Sequence, residues 1–77
     1  MDKEYIKAKL QNIPHSPGSY QMKDKHGEII YVGKAKDLHN RVNQYFVGAH
    51  DFKTTKMVSH IEDFDFIVTK TEKESLV

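Results

Sequence analysis

The sequence predicts a small α/β domain, α+β in stricter terms, built on a three-stranded, mainly antiparallel sheet flanked by helices. Three observations lead there. Residues 19–23 and 28–32 are short β-prone runs joined by Asp24-Lys25-His26-Gly27, and Gly27 suits the positive-φ position of a tight hairpin loop. Amphipathic helical stretches lie on both sides of that hairpin. Residues 64–69 form a further run rich in aromatic and β-branched side chains. Seventy-seven residues make one domain, of a size that buries only about 60 % of the surface its unfolded chain exposes.

Taken in order, residues 2–12 read as a helix with Tyr5, Ile6 and Leu10 near one face. Pro14 stops it, and His15-Ser16-Pro17-Gly18 turns the chain into the first strand, 19–23. The second strand covers 28–33, with Gly33 as its end. Lys34-Ala35-Lys36 then reads as a short basic loop whose amides and two ammoniums suit a backbone phosphate. Asp37 is a good N-cap for a helix over 37–46, whose stripe of Leu38, Arg41, Val42 and Tyr45 should approach the sheet. After the loop Gly48-Ala49-His50-Asp51, a shorter helix over 53–61 turns Met57, Val58 and Ile61 inward, and the third strand covers 64–70. Thr71-Glu72-Lys73-Glu74 has the form of a capping box before Leu76 and Val77, so another helix is being started. A domain that stops on a well-capped beginning reads as a C-terminally truncated fragment of a longer polypeptide: an N-terminal helix, 1–13, and a main domain, 14–77. The face left uncovered suggests self-association of the fragment.

Composition narrows the function. There is no cysteine, hence no disulfide and no thiolate metal site. Residues 1–13 carry Asp2, Lys3, Glu4, Lys7 and Lys9 and offer no apolar leader, and no run is long enough to span a membrane, so a cytoplasmic domain is expected. The net charge of +1 is unevenly spread. Residues 34–59 hold five Lys/Arg against two Asp, whereas residues 60–77 hold two Lys against five Asp/Glu. The basic middle suits a phosphate-rich partner, although a solvated surface gives the same pattern. The five histidines show no metal-ligand spacing, and no nucleophile motif or nucleotide-cradling loop is present.

The candidates for chemistry are Tyr20 and Tyr31 on the hairpin, Lys34 just after it, and Arg41 and Tyr45 on the following helix. Two tyrosines on a hairpin more often simply pack a small core with their hydroxyls at its rim. Arg41, lying between Leu38 and Tyr45, needs a carboxylate or phosphate partner unless it snorkels to solvent.

The arrangement resembles a known signature. Gly18-Ser19-Tyr20, followed after ten intervening residues by Tyr31-Val32-Gly33, resembles the paired motif of the GIY-YIG nucleases. The continuation Gly33-Lys34-Ala35-Lys36-Asp37-Leu38, with Arg41-Val42 and Tyr45-Phe46, is similar to the UvrC-like branch of that family, the N-terminal endonuclease domains of nucleotide excision repair. Pro14-His15-Ser16-Pro17-Gly18 and Ile61-Glu62-Asp63-Phe64 fit the same branch. Ser19 in the first triplet departs from the usual residue, but alternation along a strand points it away from Tyr20.

The resemblance implies metal-dependent phosphodiester hydrolysis, that is, DNA incision. Tyr20, Tyr31, Lys34, Arg41 and Tyr45 would form the catalytic set, and Lys34, Lys36, Arg41, Lys53 and Lys56 a DNA-binding patch. It implies one divalent cation, Mg2+ or Mn2+, held by a family glutamate expected just beyond Val77, with no metal ligand in this chain, so that the fragment itself should be inactive. For the full-length protein it implies DNA and a UvrB-type partner bound through other regions. A phenol titrates near pH 10, too high for an efficient base at neutral pH, and a nearby cation favours the phenolate. On this reading Tyr31 is the base for water, Tyr20 and Tyr45 position the phosphate, and Arg41 stabilises the charge that develops on it. Two other classes stay open: a non-catalytic DNA-binding module using the same basic helix, and a protein-docking domain using the apolar hairpin face.

Overall fold

A computed structural model describes residues 3–47 and 50–70. The chain runs α1 (Lys3–Gln11), β1 (Gly18–Lys23), β2 (Ile29–Ala35), α2 (Leu38–Phe46), α3 (Phe52–Ser59) and β3 (Asp63–Val68). The strands form one antiparallel sheet in the order β2-β1-β3, so the hairpin's first strand is the central one. The expected class and elements are present. The capping box at 71–74, the helix it starts and residue 2 lie outside the described residues. None of the described helices is long and apolar enough to cross a membrane.

Register explains which side chains meet. Tyr20 stands between Gly33 of β2 and Phe66 of β3, and Met22 between Tyr31 and Phe64. By strand alternation these residues share one face of the sheet, against which the helices pack. Met22, Leu38, Val42, Ile61 and Phe64 are fully buried there, joined by Ile6, Leu10 and Ile13 from α1 and the turn after it. Each such side chain contributes about 1.5–3 kcal/mol relative to leaving it in water.

The hairpin is closed by Asp24. Its side chain accepts from the His26 and Glu28 N–H groups at 2.8 and 3.0 Å, and Gly27 takes φ +79°. A register shift between Met22 and Lys23 leaves Ile30 as the extra residue of a bulge.

Three boundaries differ from the sequence expectation. β2 does not end at Gly33. It runs on to Ala35, because β1 begins at Gly18 and pairs Gly18 with Ala35 and Ser19 with Lys34. The absent side chain at Gly33 is a matter of space: a Cβ there would run into the Tyr20 hydroxyl and ring. Helix α3 starts earlier, with Asp51 as N-cap accepting from the Thr54 N–H at 2.7 Å, and ends at Ser59. Ile61 is therefore buried as expected but lies beyond the helix. Strand β3 is shifted towards the N-terminus, beginning at Asp63 and ending at Val68.

Helix α2 is braced by the turn that precedes the hairpin. The Leu38 N–H donates to the Ser16 carbonyl at 3.0 Å and the His39 N–H to the Pro14 carbonyl at 3.2 Å. The Asp37 carboxylate accepts from the Asn40 N–H at 3.0 Å and from His15 Nδ1 at 2.9 Å. Helix α1 is tied to β3 by Lys9, whose Nζ lies 2.9 Å from an Asp63 oxygen and 4.9 Å from the centre of the Phe64 ring.

Two outcomes are expected. Gly33→Ala should destabilise the fold by about 1–3 kcal/mol through overpacking against Tyr20, read as a lower denaturation midpoint. Asp63→Asn tests the Lys9 pair. Burial opposes the Asp63 charge, but Lys9 and the Phe64 N–H outweigh it and hold the carboxyl below its ordinary value. A depressed carboxyl contributes stability that is complete above the unfolded value, about 3.9, and is lost as pH falls through the folded one. Since the pair is partly exposed, the variant should cost under about 1 kcal/mol near neutrality. The difference should shrink in unfolding measurements as pH falls through the folded value.

Candidate active site

Tyr20 from β1, Tyr31 from β2 and Tyr45 from α2 come together as a triangle of rings. Their centroids are 6.1 Å apart for Tyr20–Tyr31, 5.7 Å for Tyr20–Tyr45 and 5.9 Å for Tyr31–Tyr45. The Tyr20 and Tyr45 hydroxyls share a hydrogen bond of 2.9 Å. These separations and tilted planes suit favourable aromatic contacts. Exposure divides the three: Tyr20 is 2 % exposed and Tyr31 41 %, with Tyr45 half-buried between them.

Burial sets the electrostatics. It pushes the Tyr20 phenol far above its ordinary value, and the hydrogen bond to Tyr45 adds to that, against an opposing pull from Arg41. Burial also raises Tyr45; the Tyr20 bond works the other way, Tyr31 raises it further, and Arg41 again opposes. Both phenols are thus neutral hydrogen-bond donors at physiological pH. Arg41 is a cation whose charge reaches both buried phenols. It is exposed and forms no ion pair among the described residues.

Beside the tyrosines lies an open cleft of about 380 Å³, lined by Lys34, Lys36, Asp37, Asn40, Arg41 and Gln44. The tyrosines do not line it. Arg41 belongs to both places, facing the cleft while its charge reaches Tyr20 and Tyr45.

The expected set is therefore gathered in part. Tyr20, Tyr31, Tyr45 and Arg41 converge. Lys34 pairs with Ser19, so alternation places it on the sheet face opposite Tyr20 and Tyr31, and it lines the cleft with Arg41. Ser19 itself is buried, on the face away from Tyr20 as expected. Lys36 lines the cleft, whereas Lys53 and Lys56, exposed on α3, do not. Lys34 and Ala35, expected in a basic loop whose amides and two ammoniums suit a phosphate, lie instead in strand β2, paired with Ser19 and Gly18. The Leu38, His39 and Asn40 N–H groups already donate to Ser16, Pro14 and Asp37.

Three neighbours were not singled out from the sequence. His50 stacks on Tyr45, with ring centroids 6.4 Å apart and planes at 27°, and its buried Nε2 has no hydrogen-bond partner among the described residues. Asn40 and Gln44 line the cleft one helical turn apart on α2. Their i, i+4 spacing beside Arg41 was the available signal; nothing local announced His50.

Among the described residues, no three His, Cys, Asp or Glu side chains are placed to hold a metal ion. The phenols and cations of the site are not a carboxylate donor set, so these residues do not by themselves fit a divalent cation.

Comparison with known proteins gives this geometry a context. The UvrC-like GIY-YIG domain model matches residues 16–77. UvrABC system protein C of Streptococcus uberis is 62 % identical over 74 residues, covering 96 % of this chain and 12 % of its own length. That of Lacticaseibacillus casei is 57 % identical over 77 residues, all of this chain and 13 % of its own. The chain thus spans about an eighth of the length of these curated relatives. The GIY-YIG N-terminal endonuclease domain of UvrC from Thermotoga maritima, bound to magnesium as its catalytic divalent cation, superposes with a TM-score of 0.80 at 35 % identity, covering 94 % of this chain and 79 % of that one. A tyrosine-to-phenylalanine point mutant of the same domain, bound to the catalytic divalent cation, gives 0.80 at 33 %, covering 94 % and 78 %. On the span of the family match and the identity along the whole chain, the protein belongs to the UvrC-like GIY-YIG domain family.

Proposed function

We propose that this chain carries the incision site of an excinuclease subunit of the UvrC type, hydrolysing DNA phosphodiesters during nucleotide excision repair. The observation that carries the reading is Arg41, a cation without an ion-pair partner among the described residues, held beside three converging tyrosines. An exposed guanidinium with no carboxylate to neutralise it is suited to a phosphoryl group.

The roles follow from exposure. Tyr31, open to solvent, gives its own proton to bulk water and, as the phenolate, takes the proton of the attacking water, directly or through a bridging water. Tyr20 and Tyr45, kept neutral by burial, offer hydroxyls that orient the phosphate. Arg41 stabilises charge developing on the phosphoryl oxygens, and Lys34 and Lys36 hold the flanking backbone in the cleft. Lys53 and Lys56 extend the basic surface onto α3. Relatives are solved with a divalent cation, and a glutamate just past Val77, carried over from the family pattern, is the proposed ligand for one here. DNA and a UvrB-type subunit are the proposed partners of the longer protein.

The test uses a polypeptide continuing past Val77, a divalent cation and supercoiled DNA. Tyr31→Phe should abolish nicking while leaving unfolding unchanged; full activity would overturn the base assignment. Arg41→Ala should lower the rate by about 10²–10³-fold, the loss typical of a fixed transition-state partner. The 77-residue chain should bind DNA in a salt-sensitive way without cutting it. Binding without nicking by the longer polypeptide as well would favour the non-catalytic module.

A further inference from the structure

We infer that the cleft beside the tyrosines is a second phosphate subsite, in which Gln44, with Asn40 and Lys36, holds a phosphodiester of the substrate strand other than the one cleaved. The inference rests on the nuclease reading above and adds a place for the neighbouring backbone.

Helix α2 presents two parallel rows. Arg41 and Tyr45, four residues apart, serve the tyrosine cluster; Asn40 and Gln44, also four apart, line the cleft. Four residues advance about 6 Å along a helix, so each row offers two contact points to an extended strand. The cleft and the ring cluster share Arg41 but no tyrosine. A phosphate held by the phenols therefore does not occupy the cleft, and a strand passing Arg41 continues into it.

The lining suits phosphate and sugar better than a base. Three cations, Lys34, Lys36 and Arg41, face one carboxylate, Asp37, and no aromatic ring lines the cleft for a base to stack on. Asp37 is engaged by the Asn40 N–H and by His15, so it is held in place as a helix cap. The first amides of α2, which commonly receive an anion, already donate to Ser16, Pro14 and Asp37. Donors to a phosphate here must come from side chains. Gln44 is the available one: it is exposed and its amide makes no hydrogen bond among the described residues. Asn40 donates to Asp37 at 3.2 Å, which fixes its orientation at the cleft wall. A neutral amide adds orientation without adding to the salt dependence that the lysines create.

That difference supplies the test. Binding of the 77-residue chain to a labelled DNA oligonucleotide is measured across a salt series. Gln44→Ala should weaken binding about 3–10-fold with the salt slope unchanged, a loss of the size of one hydrogen bond. Gln44→Glu should weaken it further, through repulsion. Lys36→Ala should weaken binding and lower the slope by about one. In the longer, cutting polypeptide, single phosphates flanking the scissile bond are replaced one at a time by neutral methylphosphonates. One position should raise KM in the wild type, leave kcat unchanged, and have little further effect in Gln44→Ala, the coupling expected of a direct contact. Equal binding by wild type, Gln44→Ala and Gln44→Glu, or additive losses at every methylphosphonate position, would overturn the subsite. Were the wild type to bind but not cut, the nuclease reading would fail, and the binding series alone would decide the cleft. Absence of any DNA binding by the wild type would remove both.

Discussion

The hydrogen bond between the Tyr20 and Tyr45 hydroxyls, 2.9 Å long, is the interaction on which the site depends. It joins the central strand to helix α2 and fixes the ring spacing. Such a bond contributes only about 0.5–1.5 kcal/mol net, but a buried hydroxyl left alone costs about 1–3 kcal/mol. Tyr20 is almost completely buried, so the alternatives to this bond are poor and the pair is held in one arrangement. The same ring needs the empty space over Gly33, which lies opposite it in the ladder. The two tyrosines and the glycine act as one constraint: moving any of them displaces the other two.

A second constraint holds α2 in the orientation that brings Tyr45 to Tyr20. The turn between α1 and β1 contains two prolines, which have no N–H to satisfy, and it is used through its carbonyls. Pro14 and Ser16 accept from the first turn of α2, Ile13 accepts from His39 Nδ1 at 2.8 Å, and Pro17 accepts from the Thr69 N–H at 2.9 Å just after β3. One short turn thus gathers α2 and the end of β3 while leaving few donors of its own to satisfy. The cost is that the start of α2 is closed to anions, so positive charge and amides at the cleft come from side chains.

Much of this was legible in the sequence, because local chemistry sets it. Gly27 and Asp24 announced the hairpin, Asp37 the start of α2, and the β-branched and aromatic run of residues 28–32 a strand. Gly33 was misread for a physical reason. A glycine ending a β-branched run commonly marks a break, but it also marks close approach of a partner, and here the partner is the Tyr20 ring. Reading Gly33 as an end turned Lys34 into a loop residue, whereas the ladder places it opposite Ser19. The convergence of Tyr20, Tyr31 and Tyr45 was legible from the hairpin and from the helical stripe that turns Arg41 and Tyr45 towards the sheet, and the spacing of the motif agreed with it. That Arg41 has no carboxylate partner among the described residues, and that His50 stacks on Tyr45, are facts of tertiary packing. No local pattern carries them.

Three side chains of one type gain different chemistry from burial alone. A phenol pushed up by desolvation can donate a hydrogen bond to a phosphoryl oxygen at neutral pH, but it does not accept the proton of water from that state. Tyr20 and Tyr45 are in this condition, and their mutual bond means that at most one of the two hydroxyl protons points outward at a time. Tyr31, on the edge strand, is far more open to solvent than Tyr20. Arg41 opposes the rise of both buried phenols, so an anion placed on the guanidinium would weaken that opposition and hold them more firmly as neutral donors. Bound phosphate and donor state therefore reinforce each other. On the proposed reading the proton-accepting role falls to the exposed ring, and the strand order that puts β1 in the centre and β2 at the edge separates it from the buried pair.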